Sequence, residues 1–109
     1  MAITFWLSNE MENLYRMSEN KTKSGRQLLN SSKIKSTGLP YSQAVKAGEF
    51  LFLSGQLPIN PKTGDIVDGG IEIQARQVLS NIIDFLAEFG LTLNDVIKTT
   101  VFITDMSEF

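Results

Sequence analysis

The sequence contains no cysteine and no histidine. Without cysteine there is no disulfide, no thiolate metal site and no cysteine nucleophile, which fits a reducing compartment. Without histidine, the commonest general base and the commonest zinc ligand are both missing. Zinc sites, Ser-His-Asp triads and Cys-His pairs are therefore excluded, and any chemistry must use hydroxyls, carboxylates, amines or backbone groups.

Long hydrophobic runs are also missing. No stretch approaches the roughly 20 apolar residues that a membrane-spanning helix needs. The apolar stretch at residues 2–7 is shorter than the core of a signal peptide, and no basic residue precedes it. We therefore expect a cytoplasmic protein without a membrane partner. The net charge of −2 gives no reason to expect a nucleic-acid partner.

The chain divides into two parts near residue 27. Its 109 residues predict one domain, and its composition is ordinary for a globular protein. Residues 1–26 are mostly polar, and we expect a disordered extension or a start site placed too far upstream, with Met11 or Met17 as the alternative start. A targeting or partner-binding arm is the functional alternative. Residues 27–109 are expected to form the folded part.

Within the folded part, strand-like and helix-like patterns alternate. The 49–56 segment reads EFLFLSGQ, and its bulky side chains alternate between two faces, Phe50 and Phe52 on one and Leu51 and Leu53 on the other. Helices of the same chain can cover one face of this strand, so the apolar second face suggests contact with a partner subunit. The alternative is an ordinary central strand in a sheet that is covered on both faces. The predicted strands are 27–30, 42–46, 49–56 and 96–104.

One long helix is predicted at residues 71–89, ending before Gly90 as the residue after the C-cap. Phe85 widens its apolar stripe and is expected, like Phe89, to be core. A strand, a helix and a strand in this order predict a right-handed crossover, with 49–56 and 96–104 parallel in one sheet. Asp105 is a possible N-cap of a further helix. Apolar residues recur at three- and four-residue steps along the stripe: Ile71, Ala75, Val78, Leu79, Ile82, Leu86 and Phe89.

Four motifs occur together in a fixed order: LPYSQAV at 39–45, GEFLFLSGQ at 48–56, QARQVLSN at 74–81 and VIKTTVFITD at 96–105. In order and spacing they resemble the Rid (YjgF-like) family of imine and enamine deaminases, over about residues 27–109. The resemblance implies an α+β fold similar to chorismate mutase, with a mixed sheet backed by two helices. It also implies a homotrimer with ligand sites in the clefts between subunits.

The resemblance implies an activity as well. Active members hydrolyse reactive imines and enamines, such as 2-aminoacrylate and 2-iminobutanoate, to 2-keto acids and ammonia, without a cofactor or metal. By this resemblance Tyr41, Ser54 and Gly55 line the substrate site. The structural alternatives are that Tyr41 anchors a turn after Pro40 and that Ser54 bonds to the backbone at a strand end. Leu39 stands where many members have glycine, and is expected to shift the Tyr41 loop.

The resemblance also predicts an incomplete site. A small imino acid needs a cation for its carboxylate, preferably arginine, and a group that handles protons. In the family pattern this arginine and an assisting glutamate lie beyond Phe109, with a second helix and the final strands. Arg76, on the helix, is expected to be solvated or ion-paired, and Lys98 to be structural. We therefore expect a partial domain in which deamination is impaired.

Two alternatives to a deaminase stay open. One is a non-catalytic ligand-binding or regulatory module, and the other is an inactive fragment. An unfilled edge beside the 96–104 strand would expose hydrogen-bonding groups and apolar surface. Expressed alone, the chain is therefore expected to aggregate or to exchange elements with a partner.

Overall fold

A computed structural model describes residues 1–8, 25–33 and 39–109 of the chain. These residues form a five-stranded sheet with an α-helix packed on one face, which confirms the α+β class. No helix among them is long and apolar enough to cross a membrane. The elements are β1 (Ala2–Ser8), β2 (Gln27–Leu29), β3 (Ala44–Ala47), β4 (Phe50–Gln56), α1 (Ile71–Glu88) and β5 (Val96–Phe102), with short 3₁₀ helices at Leu93–Asp95 and Met106–Glu108.

The strands follow the order β2-β3-β4-β1-β5, and each neighbouring pair is antiparallel. Because β4 and β5 both run antiparallel to β1, they are parallel to each other in one sheet, as predicted from the crossover. They are not neighbours, however, since β1 lies between them. The sheet of the described residues is therefore antiparallel where a mixed sheet was expected.

One interior strand of the sheet, β1, comes from the stretch that we expected to lie outside the domain. β1 pairs with β4, where Leu7 lies opposite Leu51, and with β5, where Leu7 lies opposite Val96. Its seven residues are an ordinary length for a strand. Residues 9–24, including both alternative start sites, lie outside the described residues, and the boundary at residue 27 stays a prediction.

The hydrophobic core lies between α1 and one face of β2, β3 and β4. Phe85 is 1% exposed, and its ring centroid lies 5.0 Å from that of Phe89, which packs against the core. Both phenylalanines are therefore core residues, as predicted. Leu79 differs from the predicted stripe, since 41% of it is exposed at the flank of the helix. The buried apolar residues are Leu29, Ala44, Leu51, Leu53, Val78, Ile82, Phe85 and Leu86.

The opposite face of β4 is left open. Leu51 and Leu53 are buried under α1, whereas Phe50 is 43% exposed and Phe52 is half-buried. The rings of Phe50 and Phe52 lie 6.3 Å apart. The predicted alternation along β4 is thus confirmed.

The helix ends where the sequence predicts. Gly90 adopts a φ of 71°, in the left-handed region that favours glycine. Its amide donates to the carbonyl of Ala87 at 3.1 Å, and the amide of Leu91 donates to Leu86 at 2.9 Å. These bonds satisfy the last carbonyls of the helix and turn the chain toward β5.

Asp105 caps the last 3₁₀ helix, Met106–Glu108, so its predicted role as an N-cap is confirmed for a shorter helix. Its Oδ1 accepts hydrogen bonds from the Ser107 hydroxyl at 2.7 Å and the Ser107 amide at 2.9 Å. These bonds, the hydroxyl's first, lower the pKa of the Asp105 carboxyl below its ordinary value of 3.8. The cap is therefore complete above the unfolded pKa and is lost as pH falls through the lower folded pKa.

This cap predicts a pH-dependent signal at Ser107. In an NMR titration the Ser107 amide shift is expected to move with a midpoint below 3.8, because protonation of Asp105 removes the acceptor charge. The Asp105→Ala variant serves as the control, and its Ser107 amide should show no such transition. A midpoint at or above 3.8 in the unmodified chain would contradict the cap.

Candidate functional site

The three residues predicted to line the site lie at one end of the β3–β4 hairpin. The register places Ala44 opposite Leu53, so the chain preceding β3 runs back past Ser54 and Gly55 toward Tyr41. The Ser54 amide donates to the carbonyl of Gln43 at 3.0 Å and extends the ladder by one residue. We call this group of three residues, Tyr41, Ser54 and Gly55, the hairpin-end site.

The hydroxyl of Ser54 is already engaged with the backbone. Its Oγ donates to the carbonyl of Gln43 at 3.0 Å, so this carbonyl accepts both the amide and the hydroxyl of Ser54. This is the arrangement given above as the structural alternative. Since a hydroxyl oxygen also carries two acceptor lone pairs, Ser54 can still accept a hydrogen bond from a ligand N–H.

Tyr41 and Gly55 leave the site open to solvent. Tyr41 is 52% exposed, and its amide donates to the carbonyl of Leu39 at 2.8 Å in a tight turn. Leu39, the departure from the family pattern, is 62% exposed. A Cβ built on Gly55 would meet no atom within 4 Å, and Gly55 does not have a positive φ. Neither packing nor backbone strain therefore requires glycine at position 55.

Gln43 holds this end of the hairpin in place, a role that the sequence reasoning did not assign. Its amide donates to Asn30 Oδ1 at 3.0 Å, and its Oε1 accepts from the amide of Ser31 at 2.5 Å. Its carbonyl accepts from Ser54. Gln43 thus joins the residues that follow β2 to both strands of the hairpin. The PYSQAV motif contains it, but its partners lie 12 and 13 residues upstream and carry no signature of their own.

A cleft of 360 Å³ lies elsewhere, beside the second half of α1, and includes none of the hairpin-end residues. Its polar groups mostly serve the scaffold. Glu88 accepts from the Ser31 hydroxyl at 2.8 Å and the Ser32 amide at 3.2 Å, and Asn81 donates to the carbonyl of Ile59 at 2.7 Å. The cleft is lined by Ser31, Lys33, Pro61, Lys62, Asn81, Asp84, Phe85 and Glu88.

Arg76 forms an ion pair with an acidic side chain of its own helix. Its guanidinium bonds to Glu72 at 3.0 Å along the surface of α1, as the ion-paired reading predicted. Lys98 lies on β5, in register with Trp6 of β1. Among residues 1–8, 25–33 and 39–109, no group of three acidic side chains is placed to hold a metal ion. Arg76 is therefore engaged on the helix surface, and the strand that carries Lys98 is separated from β4 by β1.

Comparison with known proteins identifies the family. Residues 31–109 match the Ribonuc_L-PSP family, described as Endoribonuclease L-PSP. The chain belongs to this family, which is the Rid (YjgF) family of the sequence prediction. The prediction of family and fold class is therefore confirmed.

Members of the Rid family from distant organisms are similar to the chain. A RutC family protein of Pyrococcus horikoshii is 61% identical over 70 residues, which make up 64% of this chain and 56% of that protein. The mouse protein named 2-iminobutanoate/2-iminopropanoate deaminase is 37% identical over 84 residues, 77% of this chain and 62% of the mouse protein.

A solved structure supports the same fold. A Rid family protein of unknown function from Yersinia pestis superposes with a TM-score of 0.58 at 43% sequence identity. The superposition covers 63% of this chain and 55% of that one. The chain thus spans little more than half the length of the Pyrococcus and Yersinia proteins it matches.

Proposed function

We propose that the hairpin-end site binds small 2-imino and enamine acids, such as 2-iminobutanoate and 2-aminoacrylate, for hydrolysis to 2-keto acids and ammonia. Family membership supports this, together with the similarity to a mouse protein named for that activity. The observation that carries the proposal is the position of Tyr41, Ser54 and Gly55 at one hairpin end, with open space beside Gly55. The proposed reaction uses no cofactor.

The chemistry suits the groups present. Water adds across the C=N bond, its oxygen bonding to carbon and a proton going to nitrogen, and the adduct then expels ammonia as the carbonyl forms. The Ser54 oxygen can accept a hydrogen bond from the substrate N–H, and the exposed Tyr41 hydroxyl can hold the water or relay its proton. A glycine without a neighbour over its Cα lets a flat substrate lie close to the strand.

The substrate carboxylate needs a cation from outside this surface, because Arg76 is paired with Glu72 on the helix. We propose that the active form is a homotrimer in which a neighbouring subunit packs near this end of the sheet. The exposed side chain of Phe50, on the same strand as Ser54 and Gly55, supports a subunit contact along β4. The chain by itself is accordingly expected to deaminate slowly.

Gly55→Ala is the sharpest test of the site, because it adds one methyl group where the structure has free space. With freshly generated 2-aminoacrylate and semicarbazide as trap, the unmodified chain is expected to speed imine loss above the protein-free rate. Gly55→Ala and Tyr41→Phe are each expected to lower that acceleration about tenfold, equivalent to about 1.4 kcal/mol of transition-state binding. Their urea unfolding midpoints should stay unchanged.

Matched controls separate binding from stability in this test. Gly70→Ala adds the same methyl group in open space at the N-cap of α1 and should leave the acceleration unchanged. Ser54→Ala removes the hydrogen bond to Gln43 and is expected to lower the free energy of unfolding by about 0.5–1.5 kcal/mol. A loss of activity in this variant would therefore not separate a role in binding from a role in stability. If Gly55→Ala and Tyr41→Phe both kept full activity, the hairpin-end residues would not bind the substrate.

A non-catalytic ligand-binding module is the second candidate, favoured by the pairing of Arg76 with Glu72 away from the hairpin end. NMR shifts of residues 41–56 with 2-oxobutanoate, the stable product analogue, distinguish the two. Shifts at Tyr41 and Gly55 without faster imine loss support binding alone. Neither shifts nor acceleration would exclude both functions for this chain.

A further inference from the structure

The hydrogen atom of the Ser54 hydroxyl is committed to a bond within the protein. Ser54 Oγ lies 3.0 Å from the carbonyl oxygen of Gln43. A carbonyl group has no hydrogen to give, so the hydroxyl must be the donor in this bond. Because a hydroxyl carries a single hydrogen, the Ser54 oxygen can meet a ligand only as a hydrogen-bond acceptor.

The backbone of Ser54 is held as firmly as its side chain. The Ser54 amide donates to the same Gln43 carbonyl at 3.0 Å, and the side-chain nitrogen of Gln56 donates to the Ser54 carbonyl at 3.0 Å. The Gln43 carbonyl oxygen has two lone pairs, so it accepts from the amide and the hydroxyl together. Among the described residues, no N–H or O–H group donates to Ser54 Oγ. The acceptor positions of this oxygen are therefore left for a ligand.

Gln43 is itself anchored on its other side, by the residues that follow β2. Its amide donates to Asn30 Oδ1 at 3.0 Å, and its side-chain Oε1 accepts from the amide of Ser31. β3 lies between β2 and β4 in the sheet, so these bonds and those to Ser54 hold Gln43 from opposite directions. The Gln43 carbonyl cannot turn away from Ser54 without breaking them.

We propose that Gln43 is a positioning residue that keeps Ser54 as an acceptor, so that the hairpin-end site prefers ligands with an N–H group over ligands of the same shape with an oxygen there. This inference rests on the proposed function. An imine or enamine acid has an N–H on the carbon next to its carboxylate, and the 2-keto acid formed from it has an oxygen on that carbon. Facing Ser54, the N–H gains a hydrogen bond, whereas the oxygen sets two acceptors against each other. The site thus retains the substrate and releases the product.

Two stable probes of nearly the same shape test this preference. Pyrrole-2-carboxylate has a ring N–H next to the carbon that bears its carboxylate, and furan-2-carboxylate has a ring oxygen in that place. The dissociation constant of each is measured from the NMR shifts of the Ser54 and Gly55 amides. Pyrrole-2-carboxylate is expected to bind about tenfold more tightly, which is the size of effect that one hydrogen bond gives. Equal dissociation constants would overturn the proposal.

Removing the Ser54 oxygen should remove the preference. In Ser54→Ala the ratio of the two dissociation constants is expected to fall to about one, because neither probe then faces an acceptor. Ser80→Ala is the matched control, since it removes the same hydroxyl from an exposed position of α1 and should leave the ratio unchanged. A Ser54→Ala variant with the full ratio would assign the preference to another group and overturn the proposal.

Two substitutions of Gln43 separate positioning from stability. Gln43→Ala loses the acceptor for the Ser31 amide, so the ratio is expected to fall several-fold as the Ser54 hydroxyl becomes free to turn toward either probe. Gln43→Glu keeps an oxygen at this position and should keep the ratio. A smaller folded fraction changes both dissociation constants alike, so it leaves their ratio unaltered. A Gln43→Ala variant with the unmodified ratio would contradict the positioning role.

These measurements can fail separately from the proposed deamination, because the site has no imine to hydrolyse in either probe. The expected ratio without faster imine loss would support the preference and contradict deamination. Faster imine loss with equal dissociation constants would support deamination and overturn the preference. If neither probe shifted the Ser54 and Gly55 amides, the preference would also be overturned.

Discussion

Replacing Phe85 with alanine is expected to lower the free energy of unfolding by about 3–5 kcal/mol. Phe85 is 1% exposed and lies where α1 packs on the sheet, in contact with the ring of Phe89. Truncation removes apolar contact and leaves a cavity that the surrounding strands can only partly fill. Domains of ordinary stability have about 5–15 kcal/mol in total, so the variant should be largely unfolded at low urea.

Leu79→Ala is the matched control, because Leu79 lies on the same helix but is 41% exposed. Its expected loss is about 1 kcal/mol or less, as for most substitutions at partly exposed positions. Urea unfolding followed by circular dichroism measures both variants. If Phe85→Ala cost no more than Leu79→Ala, the packing of α1 on β4 would be wrong.

Thr4→Pro is expected to have the second-largest effect. β1 has a neighbouring strand on each side, and Thr4 pairs with Thr100 of β5 beside the register shift against β4. Proline at this position cannot donate a ladder hydrogen bond and fixes φ away from the value of a regular β-strand. A carbonyl left without its donor costs about 1–3 kcal/mol, and the misfit of the ring adds to this. The variant should unfold at clearly lower urea concentration or aggregate on expression.

Thr4→Val tests the same position without the backbone change. Valine is β-branched like threonine and favours strands, so its unfolding midpoint should match that of the unmodified chain or exceed it. A Thr4→Pro variant with an unchanged midpoint would place residues 2–8 outside the cooperative sheet. This comparison therefore decides whether β1 belongs to the folded unit.

The sequence predicted the elements whose signal is local. The apolar stripe of α1, the glycine after it and the alternation along β4 each depend on neighbours within a few residues. Their boundaries agree with the structure within one or two residues, as for α1 at Ile71–Glu88 and β5 at Val96–Phe102. Leu79 departs because an apolar side chain at the flank of a stripe can stay exposed when no second layer covers it.

The position of β1 could not be predicted, because its partners lie far away in sequence. Residues 2–8 carry a short apolar run that fits a strand, a fragment of a helix or a disordered end equally well. Only the pairing with Leu51 on one side and Val96 on the other assigns it to the sheet. The crossover rule gave the correct direction of β5 relative to β4 but no indication that a third strand separates them.

The residues of the candidate site remain a prediction, and the structure adds the hydrogen bonds that support them. Tyr41, Ser54 and Gly55 were identified from the motifs, and the structure places them at one hairpin end. The alternative that Ser54 bonds to the backbone agrees with its hydrogen bond to the Gln43 carbonyl. The dependence of Gln43 on Asn30 and Ser31 was not predicted. Such side-chain bonds to the backbone form only after β2 and the hairpin have come together.

The place of β1 has a consequence for the order in which the sheet forms. Ala2 pairs with Phe102 and Trp6 with Lys98, so these partners are separated by most of the described sequence. Contacts of such high sequence separation form slowly, because a long loop must close before they gain any free energy. We therefore expect β1 to join the sheet after the local β3–β4 hairpin has formed.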